Sequence, residues 1–244
     1  IMGKDADGNV SKLSKRHGAT GFYDLIDEGY LPEAIINYIA LLGWCPKDNQ
    51  EIFTLKELEK AFDISGISKS PAVFDYDKLS WFNGEYIKAM TPEKFTEVAM
   101  PYYKKVFGDK QMPYEKFAAI LQKRTTQLTQ IPEMLDFFAE LPSYTKELFV
   151  NKKSKTNLEN SPVVLKEAYD RLKALPEWNE TSIHDCLINM AVEKELKNGT
   201  VMWPVRIAAA GKTVTPGGAV EILDILGRDE SLARLEKGMA ILAE

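Results

Sequence analysis

The sequence predicts a mostly α fold, on three observations. Prolines, threonines and serines repeatedly stand just ahead of apolar residues spaced at the helical period, the pattern of a helix start. Strand signals are few and short, and no strand–helix alternation runs along the chain as a parallel sheet would require. Of the 244 residues, 45% are hydrophobic and 10% aromatic, enough to bury a core.

The elements follow in order. Residues 31–42 carry apolar side chains at 31, 35, 36, 39 and 42, with Pro32 in a first turn and Gly43 as a stop. Thr54-Leu55-Lys56-Glu57 is a capping box and predicts a helix over 54–62. Val73-Phe74 is a short strand signal. Thr91-Pro92-Glu93 starts a helix toward Phe107-Gly108, Pro113 opens one over 114–128, and Pro132 and Pro142 open two more. Ser161-Pro162 begins a helix over 163–175. Thr181 begins one to Leu196, closed by Asn198-Gly199. Residues 219–226 stop at Gly227, and 228–242 form a last amphipathic helix. Prolines, charge runs and polar residues gather near 90 and 153, which divides the chain into 1–90, 91–153 and 154–244.

Composition excludes several classes. The longest apolar stretch, 34–44, is broken by Asn37 and falls short of the ~18 residues a membrane span needs. Cys45 and Cys186 cannot build a disulfide framework or a four-cysteine zinc site, and no signal peptide pattern opens the chain, so a reducing cytoplasm is the expected home. The chain begins at Ile1 in what reads as a turn and is expected to be part of a longer polypeptide. Its net charge is −5, distributed as −4 over 1–90, +3 over 91–155 and −4 over 156–244. An acidic whole argues against non-specific coating of nucleic acid, but local clusters decide contact with phosphates. The middle segment has such clusters at Lys104, Lys105 and Lys110, at Lys123 and Arg124, and at Lys152, Lys153 and Lys155. Each is also what a solvated helix face would carry.

Most apparent motifs fail on chemistry. Asp5-Ala6-Asp7-Gly8-Asn9 begins like a calcium loop, but Val10 and Arg16 stand where its Gly and Glu are required, so it reads as a turn. Gly211-Lys212-Thr213 ends like a phosphate loop, yet Arg206 replaces the earlier Gly. His17 and His184 are the only histidines, and no further ligand joins His184 and Cys186, so no metal is expected and His184 reads as structural. One stretch is informative: Lys12-Leu13-Ser14-Lys15-Arg16 puts three cations and a hydroxyl on a short loop after a Gly-bearing turn. Such a loop suits a polyphosphate, because ammonium groups can follow charge developing on phosphate oxygens. A basic surface loop remains open as the plainer reading.

Lys12 to Arg16 resembles the KMSKS signature of class I aminoacyl-tRNA synthetases. His17-Gly18-Ala19, Gly29-Tyr30-Leu31-Pro32-Glu33-Ala34, Leu42-Gly43-Trp44, Glu51-Ile52-Phe53-Thr54 and Lys78-Leu79-Ser80-Trp81 resemble bacterial-type glutamyl-tRNA synthetases. So do Pro204-Val205-Arg206, Thr215-Pro216-Gly217 and Glu221-Ile222-Leu223 near the end. The resemblance implies a C-terminal portion: a stem-contact domain with the KMSKS-type loop over 1–90, then two all-helical anticodon-binding subdomains over 91–153 and 154–244. The complete family enzyme activates L-glutamate with ATP and Mg²⁺ and esterifies it to the 3′ end of the glutamate tRNA. No His-Ile-Gly-His-like run occurs in this chain, so by itself it is expected to be inactive and to bind no cofactor. The family's roles fall on Lys12, Leu13, Ser14, Lys15 and Arg16 for ATP, with Lys15 steadying the phosphates. For the anticodon they fall on Arg124, Arg206, Thr215, Pro216, Gly217 and Gly218. Gly218 and Ala219 stand where related enzymes often carry bulkier residues, which brings a form that also charges the glutamine tRNA into consideration. A monomer is expected. A free-standing helical RNA- or protein-binding module is the reading from another class.

Overall fold

The computed structural model describes residues 1–4, 10–13 and 21–244; the turn over 5–9 and the residues 14–20 lie outside the described residues. Twelve α-helices together with short 3₁₀ turns make up 64% of the described residues and strand 5%, so the mostly α reading stands. The chain separates into two compact units, one of residues 1–103 with 122–131 and one of 104–121 with 132–244.

The first unit opens on a small sheet that the sequence signalled only at its last strand. β1 (Met2–Lys4) lies between antiparallel β2 (Val10–Lys12) and parallel β3 (Val73–Phe74), with Met2 opposite both Lys12 and Val73. Its helices are α1 (Phe22–Asp27), α2 (Pro32–Gly43), α3 (Leu55–Ala61), α4 (Tyr76–Ala89) and the start of α5 (Pro92–Phe107). The capping box at α3 is present: Thr54 Oγ1 accepts from Glu57 N at 3.3 Å, and Thr54 N donates to the Glu57 carboxylate at 2.7 Å. The bond donated by the Thr54 backbone, with further help from the Thr54 hydroxyl, holds the Glu57 carboxyl below its usual range. Leu25, Tyr30, Ile35, Tyr38, Phe74, Leu79 and Phe82 form the core.

Two fully buried asparagines tie this unit together. Asn37 donates to Glu51 O and accepts from Phe53 N at 2.9 Å and Tyr86 Oη at 2.7 Å. Asn83 accepts from Leu31 N at 2.8 Å and donates to Thr126 O at 2.6 Å and Gly29 O at 3.3 Å. Gly29 has φ +90°, and a Cβ there would come within 2.6 Å of Thr129 N, so the close approach of the 122–131 segment requires glycine.

The second unit holds the end of α5, then α6 (Tyr114–Leu121), α7 (Ile131–Ala139), α8 (Asn160–Lys173), α9 (Glu180–Glu193), α10 (Asn198–Ala210), α11 (Ala219–Leu226) and α12 (Arg228–Ala243). α10 runs through the middle and packs on α8, α9, α11 and α12. Its Val201, Val205 and Ile207 to Ala210 are buried, and Gly238 of α12 lets the two helices meet at Ala208. The buried Arg234 guanidinium donates to Phe137 O at 2.7 Å and Ala209 O at 2.8 Å, satisfying carbonyls near the ends of α7 and α10.

Three expectations need correction. Asn198-Gly199 does not close a helix; it opens α10. α9 has already ended, with Glu195 at φ +53° and Leu196 N donating back to Ala191 O at 2.8 Å, a left-handed C-terminal cap without glycine. Pro142 opens no helix: the chain there is irregular until a 3₁₀ turn over Lys146–Phe149, and the Pro142 ring lies against Gly211. α6 ends at Leu121, seven residues early, because Gln122 turns away to donate to Ile87 O and Met90 O at the end of α4.

Candidate nucleic-acid interface

Of the segment expected to serve a polyphosphate, Lys12 closes β2 and Leu13 follows it. Lys12 is exposed at the edge of the sheet, and Leu13 is half-buried against the first unit's core, so the chain is anchored just past the end of β2. Ser14, Lys15 and Arg16 lie outside the described residues. Among the described residues no set of three His, Cys, Asp or Glu could hold a metal, and no helix is long and apolar enough to cross a membrane. His184 is an exposed residue paired with Asp185 at 3.0 Å and has no place in the core.

Arg124 is exposed on a turn whose neighbours are fixed. Before it, the Gln122 side chain caps α4; after it, Thr125 is fully buried and Thr126 O accepts from Asn83. Beyond these, Leu128 N donates to Gly29 O at 3.0 Å and Thr129 Oγ1 to Glu28 O at 2.7 Å. The arginine is thereby aimed outward from a short, doubly anchored segment.

In the second unit, Arg206 and Gly218 do come together. They line a surface groove of about 380 Å³ with Asn151, Lys153, Ser154, Trp203 and Glu221. Arg206 lies one helical turn from Trp203, with its guanidinium carbon 4.6 Å from that ring's centroid, and donates to Thr213 O at 3.0 Å. Trp203 is fixed in turn by its Nε1–H to Leu148 O at 2.9 Å. Gly218 caps α11 and donates to the Glu221 carboxylate at 3.1 Å. Thr215, Pro216 and Gly217 are buried beneath: Thr215 Oγ1 donates to Gly217 O at 2.7 Å, and Gly217 packs on Ile120. These three shape the loop, while Arg206, Trp203, Gly218 and Glu221 face the groove.

Sequence reasoning did not single out Trp203, Ser154 or Glu221 for this groove. The three-residue spacing of Trp203 and Arg206 puts them on one helix face and could have paired them. The approach of the 151–154 turn has no sequence signal.

A planar cation fixed over an indole, beside exposed Lys153 and a carboxylate, offers a stacking surface with both donors and acceptors. Single-stranded RNA loops are read by such surfaces, since their bases are free to stack and to present their edges. The groove thus has the chemistry that could take up a base of such a loop.

The comparisons place it more closely. Residues 94–239 match the anticodon binding domain family, and the chain belongs to that family. Residues 6–81 match the catalytic domain family of class I tRNA synthetases (E and Q). The chain is 51% identical over 228 residues to a glutamate–tRNA ligase of Clostridium kluyveri and 49% identical over 229 residues to that of Clostridium tetani, covering 93% and 94% of this chain and 47% of each relative. It thus spans about half the length of the curated relatives it matches. It resembles the crystal structure of a glutamate tRNA ligase from Elizabethkingia meningosepticum in complex with its amino acid, with a TM-score of 0.75 and 29% identity, covering 99% of this chain and 45% of that one.

Proposed function

We propose that this chain is the tRNA-binding body of a glutamate–tRNA ligase, reading the anticodon of the glutamate tRNA and contributing a basic loop toward ATP. The observation that carries the reading is the α10 groove, where Arg206 is stacked on Trp203 and opens beside Gly218 at the start of α11. Similarity to named glutamate–tRNA ligases over 93% of the chain supports it. In this reading residues 1–90 touch the tRNA stem, 91–153 and 154–244 form the two anticodon-binding subdomains, and Arg124, Arg206 and Gly218 face bases while Thr215, Pro216 and Gly217 hold the loop. Lys12, Leu13, Ser14, Lys15 and Arg16, with Lys15 at the phosphates, serve Mg²⁺-bound ATP during activation of L-glutamate. The protein works as a cytoplasmic monomer.

A second reading has a specific observation behind it. A Cβ at Gly218 would meet only Glu221, so neither Gly218 nor Ala219 adds bulk to the groove wall. That favours a form that also accepts the glutamine tRNA. The test is binding of the chain to glutamate tRNA, glutamine tRNA and an anticodon-mutated glutamate tRNA at two salt concentrations. A preference that follows the anticodon and survives higher salt supports the proposal, and a tie between the natural tRNAs favours the broader form. Binding that ignores the anticodon and collapses with salt refutes anticodon reading.

A further inference from the structure

We propose that the turn over 152–155 is a phosphate-binding turn that holds the backbone of the RNA whose base enters the α10 groove. The inference rests on the RNA-reading function above and adds a second contact, with a different chemistry, to the same site.

Lys152, Lys153 and Lys155 are all exposed on this turn. Among the described residues none of them has a carboxylate partner. Lys116, Lys166, Lys194 and Lys212 of the same unit do have one. Unneutralised ammonium groups clustered on one turn are the chemistry that phosphodiesters seek.

The turn is also built to be rigid. An antiparallel bridge between Asn151 and Thr156 closes it. Asn151 Oδ1 accepts from Ser154 N at 3.0 Å, and Asn160 Nδ2 donates to Lys155 O at 2.9 Å. Thr200 Oγ1 donates to Ser154 O at 2.6 Å, fixing the turn to the first turn of α10, where Gly199 packs on Ser154. Lys155 has φ +55°, a left-handed conformation that glycine or asparagine adopts at less strain, yet the residue there is a lysine.

Position gives the turn its role. Asn151, Lys153 and Ser154 line the same groove as Trp203, Arg206 and Glu221. The Glu221 carboxylate repels phosphate from the α11 wall and leaves that wall to a base edge. The lysine turn is then the side on which the RNA backbone passes.

The experiment measures affinity of the chain for the anticodon stem-loop RNA of the glutamate tRNA and for an anticodon-mutated loop, between about 50 and about 200 mM salt. The comparison is with a variant carrying Lys152→Gln, Lys153→Gln and Lys155→Gln. Each lost phosphate contact on a single strand lowers the slope of log affinity against log salt by about 0.7, so the slope falls by about 2. The ratio of affinities between the two loops stays unchanged, because phosphate contacts carry no sequence. Lys155→Gly removes one charge and the backbone strain together; its slope falls by about 0.7 while its melting temperature does not drop. An unchanged slope in the triple variant, with anticodon preference intact, overturns the phosphate turn and leaves the anticodon reading standing; the lysines then face solvent or an acidic protein. Loss of anticodon preference in the unmodified chain overturns both.

Discussion

Asn83→Ala tests how the first unit presents Arg124. The Asn83 side chain is fully buried and bridges Leu31 N, Gly29 O and Thr126 O. The three losses are unequal. Leu31 is itself buried, so its N–H is left without a partner; an orphaned buried donor costs about 1–3 kcal/mol. Gly29 O keeps its bond from Leu128 N. Thr126 O is half-buried and loses one net hydrogen bond, about 1 kcal/mol. The expected destabilisation is therefore about 2–4 kcal/mol, read from the urea midpoint at unchanged slope. Asn83→Asp separates hydrogen bonding from packing. The aspartate still accepts from Leu31 N, but its second oxygen faces the carbonyls of Thr126 and Gly29, so it is expected to be no more stable than the alanine variant. Under folding conditions both variants should weaken anticodon-dependent binding, as Arg124→Ala should in the proposed role, because the segment bearing Arg124 is released. A loss below about 0.5 kcal/mol in Asn83→Ala, the scatter of ordinary surface changes, would refute the bridge.

Gly238→Ala would bring a Cβ within 2.6 Å of Ala208 Cβ and should destabilise by about 1–3 kcal/mol, whereas Gly43→Ala meets nothing within 4 Å at the end of α2 and should gain about 0.5–1 kcal/mol; thermal unfolding of the pair checks both. Arg234→Met leaves Phe137 O and Ala209 O without their buried donor and should cost about 2–4 kcal/mol, with Arg234→Lys recovering part because it keeps one bond; urea unfolding decides. Burial first of all pushes the hydroxyls of Tyr38, Tyr86 and Tyr144 from 10.0 up to about 12. The folded state thus favours their neutral forms, and that stability is complete below pH 10 and lost as pH rises through about 12. Unfolding midpoints should fall across that window, and Tyr86→Phe should shrink the fall; a flat profile would contradict the burial of these hydroxyls.

Where local chemistry decides, the sequence was sufficient. The Thr54 and Glu57 box, Pro32 in a first turn and the Gly227 break between α11 and α12 all stand as read. α10 was illegible because it is apolar on most of its faces and contains Pro204, so it lacks the one-sided period that marks a surface helix. β1 and β2, at three residues each, are too short for alternation to register. In the candidate site, Arg206 and Gly218 could be named because a resemblance carried them. Which of the residues at 215–218 face outward could not, since that depends on Ile120 and on a turn more than fifty residues upstream in the chain. The lysines at 152, 153 and 155 were visible as charge, but not as the edge of a groove.

The division of the chain into units also bears on the order in which the protein can assemble. The chain passes from one unit to the other after Tyr103, Leu121 and Ile131. The first unit's turn at Gly29 and its Asn83 are therefore completed by residues that are synthesised only after α6, which belongs to the other unit. Emerging N-terminus first, the first unit must wait for 122–131 before Asn83 can make its bond to Thr126 O and Gly29 O its bond from Leu128 N. No single cut yields two self-sufficient halves: shortening the chain after Tyr103 removes Thr126 and Leu128, and with them the partners that close the unit supposedly preserved.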